Sequence, residues 1–429
     1  MRGKDAQVDG CGEGGVRQLF KNMGVLFFAQ FFSYMVPILE IPILARSLGV
    51  QEYGKVVLVQ SIALLSSLIV EYGFSLSGSR QVAVSRDDVG SLVRIFGSVL
   101  SAKLMISSVI CVFGVVVFYL FGKESYDGAL IVFGVLYFLA FGFSPFWFFQ
   151  GLENITLVVV FEVALRFLSL LALYVFVQDS GDAVLALGIM SGLALVNTVF
   201  GNFLCCRLIG RVVLNFTEGV RQLKIGFHVF LYKSSNNILL SAGPSLVGMM
   251  LGSFSVASYV PAEKIIRGFV GFVNPVLIGF YPYLNRQFLS ARSEAKKLSW
   301  GVVVGMFVFG LVVAGVFYVA GEFIVINILG KDFIVAKDVL RVFVWVIPFR
   351  LANQALGLCI LIPMGKDKVT SFLMMTFSVL SMLTAGLMSI WFGVVGIVLG
   401  FVLAEIFLCM VLLVVAFKDS REENAGGRL

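Results

Sequence analysis

Long apolar runs alternate with short polar interruptions along the whole chain. Ala129 to Leu152, Ala183 to Cys206 and Leu298 to Gly321 carry no charge at all. About 20 consecutive apolar residues cross a bilayer as a helix, and backbone amides inside lipid must bond within their own segment. Each run therefore predicts a transmembrane helix. Spans are expected at 22–44, 56–78, 96–121, 129–150, 155–177, 183–206, 227–251, 258–284, 299–329, 338–362, 369–391 and 394–417. The last two divide one uncharged stretch of 36 residues, Val369 to Ala404. Trp391-Phe392-Gly393 sits at its middle, interfacial aromatics followed by a turn glycine, so the chain is expected to fold back there. The expected class is an all-α integral membrane protein of about twelve helices.

The positive charges set an orientation. Of 32 Lys and Arg, 20 fall in segments 1–21, 79–95, 151–154, 207–226, 285–298, 363–368 and 418–429. The intervening loops hold 5 and the spans hold 7. Cytoplasmic loops are the Lys/Arg-rich ones, which puts both termini in the cytoplasm. The apolar stretch from Asn22 is too long for a signal-peptide core and reads as an uncleaved first span. The expected organisation is a cytoplasmic segment 1–21, a six-helix bundle 22–206, a cytoplasmic linker 207–226, a second six-helix bundle 227–417 and a cytoplasmic tail 418–429, whose end from Glu422 reads as disordered.

The two bundles look related. Leu48-Gly49 and then Tyr53 follow span one, and Leu251-Gly252 and then Tyr259 follow span seven. Six spans is an even number, so both halves insert the same way and are expected to be related by a pseudo-two-fold axis along the membrane normal. Two such halves enclose a central cavity. All nine prolines fall within or at the ends of spans, and Pro37 and Pro42 on one helix predict a bend in span one. The glycine pairs Gly188/Gly192, Gly248/Gly252, Gly301/Gly305 and Gly396/Gly400 read as close packing within the chain.

Composition agrees. The chain is 59% hydrophobic and 13% charged, with a mean hydropathy of +1.00, against about 25% charged in a soluble domain. The net charge of +7 is explained by the basic loops and not by nucleic acid. The six cysteines form no CxxC pair, and five lie in or at the ends of apolar runs, so they read as small buried hydrophobes. With His228 as the one histidine, neither a histidine metal site nor a catalytic triad is expected. No cofactor is expected, and no GxxxxGK[ST] phosphate loop is present to suggest ATP drive.

Ionisable residues inside spans usually face a cavity or a partner. The cations are Lys103, Arg166, Lys233, Lys264, Arg267, Arg341 and Arg350; the anions are Glu40, Glu71, Glu162, Glu263 and Glu405. Glu162/Arg166 and Glu263/Arg267 have the spacing of a helical ion pair with the acid first. Lys103, Lys264 and Arg267 lie near enough to span ends to snorkel. Lys233, Arg341 and Arg350 have no partner within one turn, and Lys233 opens the polar patch Lys-Ser-Ser-Asn-Asn at 233–237. Cations in a water-filled cavity would attract an anionic headgroup, and Arg suits phosphate through its bidentate fork.

Several stretches are more specific. They are IPILARSLGVQEYG (41–54), EYGFSLSGSRQVA (71–83), SPFWFFQGLE (144–153), YVPAEKIIRG (259–268), the Tyr-Pro at 281–282 and PMGKDK (363–368). In this order they resemble the polysaccharide-unit flippases of bacteria, the Wzx or O-antigen transporter type. These belong to the group of multidrug, oligosaccharidyl-lipid and polysaccharide exporters that includes MATE extruders and the lipid II flippase. The resemblance implies two six-helix bundles forming a V around a cationic cavity. It implies transport of a short sugar chain on undecaprenyl pyrophosphate between membrane leaflets, alongside a polysaccharide polymerase and a chain-length regulator. Arg46 and Arg80 lie in the resembling stretches, as phosphate contacts or as interfacial anchors. Glu71 stands where the family more often has Asp. Glu40 and Glu71 are candidates for coupling to a proton or sodium gradient.

Two other readings compete. A multidrug antiporter would share the fold but would want a net acidic cavity for organic cations, and seven intramembrane cations against five anions point the other way. A polysaccharide polymerase would want an extended external loop, whereas the longest one expected, 45–55, has 11 residues. Asp87-Asp88 reads as a solvated loop and not as part of a transferase site.

Overall fold

The computed structural model describes residues 10–117 and 127–426; the end of the third expected span, 118–121, lies outside the described residues. The side chains of 10–30, most of 228–241, several between 274 and 290, and 419–426 also lie outside that description. No strand occurs among the described residues, and the chain is helical almost throughout.

The helices are α1 (Gly10–Glu71), α2 (Phe74–Val84), α3 (Val89–Val117), α4 (Gly128–Gly142), α5 (Phe146–Gly151), α6 (Thr156–Phe176) and α7 (Ala183–Ile209) in the first half. The second half holds α8 (Phe216–Ser241), α9 (Gly243–Leu251), α10 (Ser253–Ser290), α11 (Arg292–Ile328), α12 (Ala336–Phe343), α13 (Val346–Ala355) and α14 (Asp367–Gly426). A single-turn π segment at Leu356–Leu361 continues α13. Eight stretches are long and apolar enough to cross a membrane among the described residues. Two of them, Tyr34–Val84 and Asp367–Lys418, are 51 and 52 residues long, about twice one crossing. Each is broken by a glycine in a non-helical conformation, Gly49 in α1 and Gly393 in α14. With these two doubled, and α8–α9 and α10 added, the twelve expected spans all have helical counterparts. The fold-back at Gly393 falls where Trp391-Phe392-Gly393 predicts it. The helix α1 passes through Pro37 and Pro42, and its break comes at Gly49 instead. At the far end α14 stays helical through Gly426, where the sequence suggested a disordered tail.

The internal repeat has a conformational signature. Gly49 has φ 70° and ψ 175°, and Gly252, between α9 and α10, has φ 82° and ψ 172°. Both lie in an extended positive-φ region that is essentially restricted to glycine and costs another residue about 1–3 kcal/mol. Each Leu-Gly pair thus makes the same turn at the same point of its half. Beyond each, a buried tyrosine packs on a phenylalanine of the second half. Tyr53 meets Phe333 at 5.7 Å and Tyr259 meets Phe343 at 5.5 Å.

The first lobe is built by α1 against α4, α6 and α7, with α4 packed along α7. Its other end, near Asp88, has a separate core in which α5 lies on α2. Trp147, Phe148 and Phe149 are buried there, and Gly78 lets the indole approach, since a Cβ would sit 2.7 Å from Trp147 Cε3. The SPFWFFQGLE stretch is therefore core. Asp88 ends this loop as a cap on α3. The Ser91 hydroxyl and the Ser91 and Gly90 amides bond its carboxyl and hold it below the usual carboxylate range. The second lobe packs α11 on α13, with Gly310 against Pro348, and α12 and α13 on α14.

Part of the segment expected as a linker, 207–226, is the start of α8. Its first turns are tied to the first lobe. The Asn215 amide donates to Ser101 Oγ at 2.9 Å, and Gln222 pairs with Gln81 at 2.8 Å and reaches Ser98 Oγ at 3.2 Å.

The lobes meet along α1 and α10. At the Gly49 end this seam is tight. Gly54 faces the Ser253 carbonyl, Leu58 faces Gly248, and Arg46 donates to the Asn327 carbonyl at the end of α11. A side chain at Gly54 would overlap Ser253. Gly54→Val is expected to cost about 3 kcal/mol or more, the upper range for overpacking, and to lower the unfolding midpoint of detergent-purified protein. An unchanged midpoint would show that the lobes are not in contact here.

Candidate functional site

Charged side chains gather in the middle of the seam. Helix geometry explains how. Residues four apart share a face while neighbours in sequence diverge. Glu263 therefore pairs with Arg267 on α10, and Lys264, next to Glu263, points elsewhere. It lies within electrostatic reach of Glu40 on α1 and of Glu263. Among the described residues Lys264 makes no hydrogen bond or ion pair. On the first lobe Glu162 and Arg166 of α6 pair at 2.7 Å, and Arg166 and Lys264 both act electrostatically on Glu40. The Glu40 side chain is buried and likewise makes no direct bond among the described residues. Six charges thus face one another across the seam: Glu40, Glu162 and Arg166 from one lobe, Glu263, Lys264 and Arg267 from the other. They balance, three acids to three bases. A buried charge is tolerable only with such partners.

Each lobe also carries a polar pocket, at equivalent places in the repeat. In the first lobe a cavity of about 100 Å³ lies between α1, α4, α6 and α7 and includes Glu40, Glu162 and Arg166. In the second a cavity of about 40 Å³ lies between α13 and the two arms of α14. There Arg350 pairs with Glu405 at 2.8 Å, with exposures of 11% and 5%, and Asn353 Nδ2 donates to Glu405 Oε2 at 2.7 Å.

The expected site residues separate into groups. Arg166 and Arg267 are in the seam, each neutralised by the predicted pair. Arg350 has no partner within one turn, as expected, but is buried against an acid 55 residues away in the second-lobe pocket and not in the seam. Arg341 is not in the seam either; its guanidinium lies 5.6 Å over the Tyr318 ring, near Glu322 and Lys337. Arg46 ties the lobes at the Gly49 end, and Arg80 is exposed on α2. Lys233 lies outside the described side chains. Glu71 is engaged by backbone: it accepts from the Gly73 and Ser75 amides at 3.2 and 2.7 Å, capping α2 after the Tyr72-Gly73 break. That role accounts for an acid at this position without ion coupling. Lys264, which sequence reasoning set aside as a snorkelling lysine, is the residue that was missed. The divergence of i and i+1 on a helix was the available signal.

Residues 19–288 match the model of a family described as polysaccharide biosynthesis protein. The chain belongs to that family. A candidate O-antigen transporter of Shigella dysenteriae is 23% identical over 406 residues, covering 92% of this chain and 98% of that protein. A candidate O-antigen transporter of Escherichia coli K12 is 25% identical over 269 residues, 62% of this chain and 65% of that one. Among solved structures the fold matches the lipid II flippase MurJ in an inward closed conformation. The TM-score is 0.70 at 13% identity, over 91% of this chain and 87% of that one. It also matches an inward-facing MATE-family multidrug transporter of the MOP superfamily, with a TM-score of 0.60 at 16% identity, over 91% and 94%. The polysaccharide-family protein therefore has the two-lobed, twelve-helix fold of that superfamily and is a multi-pass membrane protein.

Proposed function

We propose that this protein is a flippase that carries undecaprenyl-pyrophosphate-linked sugar units across the bacterial inner membrane for surface polysaccharide assembly. The observation that carries the reading is Lys264, a cation without a bonded partner among the described residues at the seam between two lobes. A pyrophosphate cannot enter hydrocarbon unaided, because a buried charge needs partners. Lys264 offers one, with Arg267 and Arg166 one helical turn from it or across the seam. An arriving pyrophosphate displaces Glu40 from the field of Lys264. The lipid tail stays in the bilayer while the sugar rides between the lobes. The lobes then rock, opening first to the cytoplasm and then to the outside. With both termini in the cytoplasm, the tight Gly49 end is the external seal. A polymerase and a chain-length regulator would take the delivered unit. Drive comes from a proton or sodium gradient, with Glu40 as the titrating or coordinating carboxylate.

The test is a deletion strain complemented by the wild-type gene. Loss of surface polysaccharide, with lipid-linked units accumulating in the inner leaflet, is the expected result. The balanced charge of the seam and the buried Glu40 also suit a multidrug antiporter for organic cations. Intact polysaccharide with new sensitivity to cationic dyes would establish that reading and refute the flippase.

A further inference from the structure

We infer that the first-lobe cavity, lined by Glu40, Tyr137, Phe141, Glu162, Arg166 and Asn197, is a sugar subsite that takes a single pyranose of the lipid-linked unit. The inference rests on the flippase reading and adds a place for the glycan distinct from the place for the phosphate. Three observations converge. The cavity measures about 100 Å³, far more than the roughly 10–15 Å³ one water requires, and it suits the ring of one sugar residue. Its chemistry is that of a carbohydrate site. Tyr137 and Phe141, with ring centroids 4.7 Å apart, form an aromatic wall for the apolar C–H face of a pyranose. The same cavity is lined by acceptors for hydroxyl groups: the carboxylates of Glu40 and Glu162, and Asn197 Oδ1, which is buried with no hydrogen-bond partner. A buried acceptor left unmade costs about 1–3 kcal/mol, and a sugar hydroxyl would satisfy it.

Charge sorts the two ends of the substrate. Two carboxylates line the cavity, and its one guanidinium, Arg166, is already held by Glu162. A pyrophosphate is repelled there, and a neutral polyol is not. The unbonded ammonium of Lys264 lies across the seam from Glu40, which borders the cavity. A phosphate at Lys264 thus places the first sugar at the cavity mouth.

The experiment compares two ligands on the full-length protein in nanodiscs. One is bare farnesyl pyrophosphate. The other is the same lipid carrying one glucose, galactose or N-acetylglucosamine. At least one glycosylated form is expected to bind about tenfold more tightly than the bare lipid. Asn197→Leu, which keeps the branched shape and removes the acceptor, should erase that gain and leave bare-lipid binding unchanged. Ala194→Phe, which fills the cavity from α7, should do the same. Equal binding of all four lipids to the wild type, or a retained sugar gain in both variants, would overturn the subsite while leaving the flippase reading intact. Binding of none of the four would overturn both.

Discussion

Lys264→Gln should abolish polysaccharide export at a normal level of membrane-inserted protein. Glutamine keeps a polar end on a side chain one bond shorter and removes the charge. A hydrogen bond to a charged group contributes about 1.5–3 kcal/mol, so losing the one between this ammonium and a phosphate should weaken substrate binding by roughly 10- to 150-fold. The neighbours cannot replace it, because Arg267 and Arg166 are already bonded to Glu263 and Glu162. Lys264→Arg should retain most activity. Complementation of the deletion strain and binding of farnesyl pyrophosphate read the same loss. Full activity in Lys264→Gln would move the anion site away from the seam.

The second large effect concerns Arg350 and Glu405. Arg350→Met strands a carboxylate that is 5% exposed. Breaking a buried pair from one side costs about 3–5 kcal/mol, and the unfolding midpoint should fall accordingly. The double variant Arg350→Met/Glu405→Leu should regain most of that loss, since replacing both partners by apolar groups is often neutral. Asn353 keeps one bond in the double variant, to the Glu405 backbone carbonyl at 3.0 Å. Recovery of both stability and export would make the pair structural. Recovery of stability with export still lost would place Arg350 in the transport cycle, as the sequence alone suggested.

These two cases show what was legible in the sequence. Apolar run lengths report spans directly, because lipid allows no other backbone solution, and so all twelve were readable, down to the turn at Gly393. Pairs four apart were readable for the same helical reason, and Glu162–Arg166 and Glu263–Arg267 formed as expected. Arg350–Glu405 was not, because its spacing reflects the packing of α13 on α14 and not any local period. The capping role of Glu71 was not legible, because the helix break that creates it is hidden inside an apolar run. Lys264 was hidden by Glu263, a neighbour in sequence that is not a neighbour in space. Of the three cations without a local partner, Arg350 found its acid on a distant helix and Arg341 an aromatic ring.

The ties that hold the start of α8 to α2 and α3 also redraw the moving parts. Bonds from Asn215 and Gln222, and the stacking of Tyr72 on Phe230 at 4.5 Å, anchor the start of the second half's opening helix in the first lobe, while the same helix also packs on α14 of the second. The boundary between mechanical bodies then differs from the boundary between the duplicated halves. The swivel belongs further on, at Ala242, where α8 stops and α9 begins with Gly243-Pro244. Proline lacks the amide that would continue the helix, so the backbone is already uncoupled there. A chain of two related halves would thus share one helix between them, its start anchored in the first lobe and its end meeting the second at a single proline joint.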